Sequence, residues 1–334
     1  MIDPINDRLM LNLIIQRIPG LAVPERNLLS QMFKSTADFT RLSKEDIEQI
    51  IKRHLSKWSI KKYIVLAEND YKTSLKKGIN IVMFSDSDYP PLLREIYDPP
   101  MLLFYRGVLP NPELPLVAMV GTRKPSPSGA AKAYEMGKDF GSFGIPVVSG
   151  LALGIDAYSH RGNVDAGAPS VAVLGSGLDQ VYPSSNRLLA QRILKNNGVL
   201  ISEYPPQMEP RRWHFPARNR IISALARGTV IVEAPIKSGA LITADFALQQ
   251  NRDLWVCSCG ISSKKESGTA RLAQDGAKVI EKAEEILKEW NMNKHTYINC
   301  KRNINGNNEF IYNNGSSRGS DLALSLARTL EIEV

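Results

Sequence analysis

Between Leu116 and Ile280, short apolar runs alternate with Gly/Ser-rich breaks and helix-compatible stretches. The runs are Leu116–Val120, Ile145–Val148, Val171–Leu174, Val199–Ile201, Thr229–Val232, Leu254–Cys257 and a weaker Lys278–Ile280. Runs this short, rich in Val and Ile and apolar at consecutive positions, fit strands buried on both faces, as a parallel sheet covered by helices on either side requires. The breaks carry Gly121, Gly150, Gly175 with Gly177, Glu203, and Glu233 with Gly239. Polar and flexible residues therefore gather where strands end, and in an open α/β sheet that edge is where ligands bind.

The 334 residues leave room for more than this unit. Residues 1–75 read as a small helical domain. Leu9, Leu11, Leu13, Ile14 and Ile18 lead to Pro19-Gly20, and Leu28, Leu29, Met32 and Phe33 follow. Ser43 caps a further helix with acidic residues in its first turn and Ile47, Ile50, Ile51 and Leu55 as its buried stripe. Asp86–Pro91 and Asp98-Pro99-Pro100 punctuate a connector into an α/β domain over residues 76–290, because Pro holds its neighbours extended. From 291 to 334, Asn, Gly, Ser and Lys dominate as far as Gly319, which reads as a flexible tail closing on the amphipathic stretch Leu322–Ile332.

No apolar stretch is long enough to span a bilayer and the N-terminus lacks a signal pattern, so we expect a soluble cytoplasmic protein with no membrane partner. Three cysteines, Cys257, Cys259 and Cys300, make neither a disulfide framework nor a zinc set, and no metal is expected. The net charge of +8 favours a polyanionic partner.

Three segments carry candidate binding chemistry. Gly121-Thr122-Arg123 follows the first apolar run and Gly129 lies in the next helix, an arrangement that lets amides and a guanidinium fork meet a phosphate. Ser149-Gly150 and Gly175-Ser176-Gly177 add two more loops on the same edge. None completes a dinucleotide fingerprint, so no cofactor is expected and a nicotinamide dehydrogenase is excluded. Asp156 and His160, four residues apart, lack a nucleophile at defined spacing and read as a helix-terminal carboxylate and a packed imidazole. The third segment is Pro210-Arg211-Arg212-Trp213-His214-Phe215-Pro216-Ala217-Arg218-Asn219-Arg220, in which cations suit phosphates and aromatic faces suit bases. Arg218 and Arg220 equally suit pairing with Glu203 or Glu233.

Val120-Gly121-Thr122-Arg123, Ser149-Gly150-Leu151-Ala152-Leu153-Gly154-Ile155-Asp156, Ala172–Asp179 with Tyr182-Pro183 and Asn186, Ser202-Glu203, Phe215–Ile222, and Val232-Glu233-Ala234 with Ser238-Gly239 and Thr243-Ala244 occur in an order that resembles the DNA-processing protein A (DprA/Smf) family. The resemblance covers residues 80 to 285. It implies an α/β, extended Rossmann-like fold with a mostly parallel sheet, preceded by a small helical (SAM/helix-hairpin-helix-like) domain. The function it implies is non-enzymatic: sequence-independent single-stranded DNA binding by a homodimer that loads RecA on incoming DNA in natural transformation. By motif position, Arg123 grips phosphate beside Gly121 and Thr122, and the Pro210–Phe215 loop adds contacts; Ser149, Gly150, Gly175, Ser176, Gly177, Arg211, Arg212, Phe215, Arg218 and Arg220 complete the candidate DNA-binding set. Phe246, Leu248 and Ile261 are candidates for the dimer interface.

The sequence departs from the family pattern at Cys257-Ser258-Cys259-Gly260 and at Ser267–Leu272. Ile18–Pro24 resembles the helix-hairpin-helix-like region without its second glycine, and the stretch from Leu322 resembles only the last helix of a winged-helix-like domain. The alternative function is a nucleotide or nucleoside-phosphate hydrolase with Glu203 or Glu233 as base, although the Pro-Gly-Gly-x-Gly-Thr loop of those enzymes is missing.

Overall fold

A computed structural model describes residues 6–262 and 267–292. The expected tail with its Leu322–Ile332 stretch, and Cys300, lie outside the described residues. The chain divides into two compact units, Met1–Glu281 and Lys282–Val334.

In the first unit, α1 (Asp7–Arg17), α2 (Val23–Met32), α3 (Thr36–Thr40), α4 (Lys44–Ile51) and α5 (Ile60–Lys77) precede β1 (Asn80–Met83), α6 (Pro91–Arg94) and β2 (Leu102–Gly107). The alternating part runs β3 (Val117–Val120), α7 (Pro127–Ser142), β4 (Val147–Ser149), α8 (Ile155–Asp165), β5 (Val171–Leu174), α9 (Arg187–Lys195), β6 (Val199–Ser202), α10 (His214–Leu225), β7 (Gly228–Ile231), α11 (Gly239–Gln249), β8 (Asp253–Cys257), α12 (Ser258–Ile261), α13 (Gly268–Gln274) and β9 (Lys278–Ile280). In the second unit, α14 (Ala283–Glu289) is closed at its start by the Glu285 carboxylate, which accepts from the Lys282 amide at 2.8 Å.

Local chemistry sets these boundaries. The Ser43 hydroxyl accepts from the Asp46 amide at 3.1 Å while the Asp46 carboxylate accepts from the Ser43 amide at 2.8 Å, so the expected cap of α4 is a full capping box. Ser126 caps α7 by accepting from the Gly129 amide at 3.0 Å, and Pro127 follows at the first helical position.

The strands form one sheet in the order β1-β2-β6-β5-β4-β3-β7-β8-β9. Each apolar run from Leu116 onward contributes a strand, and all pairings from β6 through β9 are parallel. The connector is the surprise. It holds β1 and β2, antiparallel to each other, and β2 is antiparallel to β6, extending the sheet by two strands. β1 is only half buried, so it lacks the continuous apolar signature of the inner strands.

Successive side chains on each strand feed two cores. Leu102, Phe104, Ala172, Leu174 and Leu200 share one core with Leu11, Ile14, Ile18, Leu29 and Ile47 of the N-terminal helices. Leu103, Val171, Val173, Val199 and Ile201 face the other, with Ile221 and Ile222 of α10 and Ala240 and Ala244 of α11. The N-terminal helices thus roof one face of the sheet. Their hairpin at Gly20 is held at the surface, its carbonyl accepting from Arg53, whose guanidinium also pairs with Glu25.

Among the described residues, no helix is long and apolar enough to cross a membrane. The shared core makes a stability prediction. Leu174→Ala, at a side chain 1% exposed, lowers the unfolding free energy by about 2–5 kcal/mol in urea titrations. Leu188→Ala, at a side chain 73% exposed, changes it by no more than about 0.5 kcal/mol.

Candidate nucleic-acid interface

The sheet order places the loops after β6, β5, β4, β3 and β7 side by side along the carboxyl edge. The winding of the sheet reverses between β3 and β7, the switch point where such folds open a crevice. In this chain the crevice is filled by Glu233. Its carboxylate accepts from the Ser126 amide at 2.9 Å and the Ser126 hydroxyl at 2.8 Å, directly at the start of α7. Its backbone carbonyl accepts from the Thr122 amide at 2.7 Å. A Cβ at Gly129 would come within 1.9 Å of the same carboxylate, so only glycine leaves room for it. The helix terminus that could hold a phosphate already holds an internal anion.

The exposed cations lie beside this crevice. Arg123 is exposed and sets its guanidinium 5.5 Å above the Phe215 ring. Phe215 lies 5.6 Å from Tyr182 between ring centroids, and Tyr182 is 49% exposed. Arg211 covers Trp213 at 5.4 Å, and Trp213, 64% exposed, meets His214 edge-on at 5.9 Å. His214 is buried against Tyr204 at 3.9 Å, and its Nδ1 lies 3.1 Å from the Gly175 carbonyl, which can only accept, so Nδ1 carries the proton. Burial holds this imidazole below its ordinary pKa, so it is neutral near pH 7. Among the described residues, no ion pair joins Arg123, Arg211 or Arg212 to a carboxylate. Arg123 and the Arg211–Phe215 loop therefore share one rim, floored by aromatic rings.

The chain is similar to proteins of one known family. The profile of the family described as DNA recombination-mediator protein A matches residues 80–291. The chain belongs to this family. It is 39% identical over 220 residues to the DNA processing protein DprA of Bacillus subtilis, covering 64% of this chain and 72% of that protein. With DNA processing protein DprA of Streptococcus pneumoniae it shares 40% identity over 205 residues, covering 61% and 72%. A crystal structure of DprA from Streptococcus pneumoniae superposes with a TM-score of 0.67 at 31% identity, covering 85% of this chain and 98% of that one. A DprA structure from Helicobacter pylori, described in terms of its single-stranded DNA binding mode, gives 0.57 at 27% identity, covering 64% and 95%. The family assignment makes the chain a DNA recombination mediator involved in DNA processing and places its sheet in the extended Rossmann-like class.

Several candidates turn inward. Arg220 is 4% exposed, its Nη2 donating to Glu203 at 2.7 Å and its Nε to Asp98 at 2.8 Å. Burial opposes its charge, but the two carboxylates outweigh burial and hold it protonated. Arg218 is 5% exposed, and its Nη1 donates to the carbonyls of Gly150, at 2.8 Å, and Val173. Burial lowers its pKa to about 10, so it remains charged at neutral pH. A Cβ on Gly150 would meet this guanidinium at 2.5 Å, which is why glycine stands there. Both arginines are thus structural cations, because the start of α10 carries Phe215 to the rim while its later turns face the sheet.

Ser149, Gly150, Gly175, Ser176 and Gly177 are also buried. The Ser149 hydroxyl donates to the Met119 carbonyl at 2.6 Å, and the Gly177 amide donates to the Met208 carbonyl at 2.8 Å. The Gly150 and Gly177 amides are thus taken up within the protein, by Asp156 and Met208. Gly121 and Thr122 are half-buried and position Arg123.

Asp156 accepts from the Gly150 amide at 3.0 Å, whereas His160 meets the Ser170 hydroxyl at 2.8 Å and is held neutral by burial, its pKa lowered to about 3. They form no acid/base pair. Tyr182 joins the rim without belonging to the contact set read from the sequence, whereas Trp213 lies within the Pro210–Phe215 loop expected there. Tyr182 is signalled there only by its place in a Tyr-Pro motif, and Trp213 by its arginine neighbours.

The contrast between the two kinds of arginine is measurable. Arg220→Met leaves Glu203 buried without its ion-pair partner, with only the nearby Arg26 charge to offset it, and costs about 3–5 kcal/mol in urea unfolding. Arg211→Ala changes the same quantity by no more than about 0.5 kcal/mol.

Proposed function

We propose that the chain binds single-stranded DNA along the carboxyl rim without reading base identity, and that it delivers the strand to RecA. The observation that carries this reading is the juxtaposition of Arg123, Phe215 and Tyr182 with Arg211, Arg212 and Trp213. Guanidinium groups free of carboxylates take phosphates, and ring faces accept any base because every base has a π face. The direct contacts in this proposal are Arg123, Arg211, Arg212, Trp213, Phe215 and Tyr182. Gly121, Thr122, Ser149, Gly150, Gly175, Ser176 and Gly177 supply the backbone frame, and Arg218 and Arg220 hold it together. The single-stranded DNA binding of the Helicobacter pylori protein supports the choice of ligand, and the family description as a recombination mediator supports RecA as the receiving partner.

Homodimerisation belongs to the same reading. Ile236, in the loop before α11, and Ile242 on it are 41% and 36% exposed, and Phe246, half-buried, lies one turn on from Ile242 on the same helix face, whereas Leu248, 58% exposed, falls on another face. Exposed apolar side chains such as Ile242 beside Phe246 suit an isologous contact with a second copy. A hydrolase is less well supported. Glu203 is consumed by Arg220 and Glu233 by Ser126, so neither carboxylate is free to activate water.

Titrations of a short oligonucleotide at two salt concentrations test the rim. Arg123→Ala and the double variant Arg211→Ala/Arg212→Ala weaken single-strand binding and flatten the dependence of log K on log salt by about 0.7 for each phosphate left without its cation. Phe215→Ala or Trp213→Ala costs about 1–3 kcal/mol with the salt slope preserved. Unchanged affinity in all of these variants removes the rim as the binding site. Assembly of RecA filaments on strands already coated with a single-strand-binding protein tests delivery, and no acceleration by the wild-type chain refutes it.

A further inference from the structure

Cys257 ends β8 and Cys259 stands in the first turn of α12, with their Sγ atoms 3.3 Å apart. Cys257 is fully buried and Cys259 partly accessible. The Cys259 thiol has one proton and two acceptors, the Cys257 sulfur and, at 3.7 Å, the carbonyl of Val232. Val232 immediately precedes Glu233, the residue that holds Thr122 and Ser126 in the rim. The same stretch is fastened at further points: Ser267 donates to the Gly260 carbonyl at 2.6 Å, and Thr269 accepts from the Ala234 amide at 2.9 Å. The cysteine pair is therefore built into the support of the Arg123 loop.

We propose that Cys257 and Cys259 form a reversible dithiol/disulfide site, oxidised by hydroperoxides, that loosens the Glu233 support and weakens the nucleic-acid rim. The consequence for the rim rests on the single-strand reading above, while the thiol chemistry does not. The hydrogen bonds within the pair favour a thiolate on one of the two sulfurs. The hydrogen bond from Cys259, together with the Cys259 amide and the Lys132 ammonium, outweighs burial and brings the Cys257 thiol down to about 7. That same hydrogen bond, burial, and the negative charges of Cys257 and Glu233 push Cys259 up, so near neutral pH the pair holds about one proton between two sulfurs.

The oxidant reaches the outer sulfur first. Transfer of the shared proton to Cys257 leaves Cys259 as the thiolate, which attacks an oxygen of the hydroperoxide. The O–O bond breaks, an S–O bond forms, and the departing alkoxide or hydroxide takes up a proton and leaves as alcohol or water. Cys259 is then a sulfenic acid. The Cys257 sulfur attacks Cys259 Sγ, the S–O bond breaks, and the expelled hydroxide leaves as water with the Cys257 proton. Two thiols have lost two electrons and two protons, and one hydroperoxide has been reduced. Forming the disulfide closes the two Sγ atoms from 3.3 Å to about 2.05 Å, a shift that the segment packed on the Val232 carbonyl must absorb.

The test uses the full chain carrying Cys300→Ser, so that only this pair can react, with hydrogen peroxide as the probe. Peptide mapping is expected to show an internal 257–259 disulfide that dithiothreitol reverses. Cys257→Ser is expected to stop at a Cys259 sulfenic acid trapped by dimedone, and Cys259→Ser to form no disulfide. Oxidation is expected to weaken binding of a single-stranded oligonucleotide about 2- to 10-fold, with no such change in Cys259→Ser. Two thiols still open to alkylation after peroxide overturn the proposal, as does a disulfide that leaves affinity unchanged. Failure of the reduced protein to bind the oligonucleotide instead sinks the single-strand reading, and the mapping result still decides the thiol chemistry.

Discussion

Two guanidinium groups buried on α10 set the position of everything along the rim. Taking an arginine out of water is costly, and the cost is recovered only where hydrogen bonds and opposite charge are placed with good geometry. Arg220 meets Glu203 at the end of β6 and Asp98 in the loop before β2, so one side chain joins the parallel sheet to its antiparallel extension. The Glu203 carbonyl in turn accepts from Gln16 of α1 at 3.0 Å, which ties the N-terminal helices to the same point. Arg218 does the equivalent for β4 and β5, bonding carbonyls at both strand ends while Asp156 lies close enough to offset its charge. With its later turns locked this way, α10 has little freedom, and its first residues, His214 and Phe215, are delivered to one place.

The second constraint is the internal anion at the switch point. A helix N-terminus with free amides is the usual phosphate cradle of such folds. Glu233 occupies it here, using the Ser126 amide and hydroxyl and, through its own backbone, the Thr122 amide. What remains for a polyanion is side-chain chemistry: guanidinium forks above aromatic faces. Such a surface favours a flexible strand whose bases can leave their stack over a compact nucleotide that needs an enclosed phosphate pocket. The same residue thus removes the dinucleotide site and steadies the loop that carries Arg123.

How far the sequence shows this depends on which physical signal each feature leaves. The parallel strands are legible because burial on both faces forces continuous Val/Ile runs, and their order of polar breaks locates the carboxyl edge. β1 and β2 are not, since β1 is only half buried and both lie among Pro-rich turns that read as connector. The burial of Arg218 does leave a trace. Arg218, Ile221, Ile222 and Leu225 follow the three- and four-residue spacing of one helix face, so Arg218 belongs to an apolar stripe. Arg220 leaves no such trace, because α10 is covered on more than one side and its partner Asp98 lies far away in the chain. Residue type alone does not separate these two arginines from Arg211 and Arg212, which precede the helix and stay in water.

Buried and exposed arginines nevertheless belong to one electrostatic design. Arg218 keeps its charge at neutral pH despite burial, and that charge lies beneath the rim, near enough to Arg123 to work against its own protonation. Like charges held together in a poorly screened setting raise the energy of the unliganded protein, and a polyanion placed above them relieves that repulsion. A rim made only of flexible surface lysines would lose most of its field to salt and to side-chain entropy. Here the field has a fixed component, anchored by hydrogen bonds to Gly150 and Val173, and a mobile one, carried by Arg123, Arg211 and Arg212. The fixed component also gives Gly150 a structural reason, because a Cβ there would meet the Arg218 guanidinium at 2.5 Å.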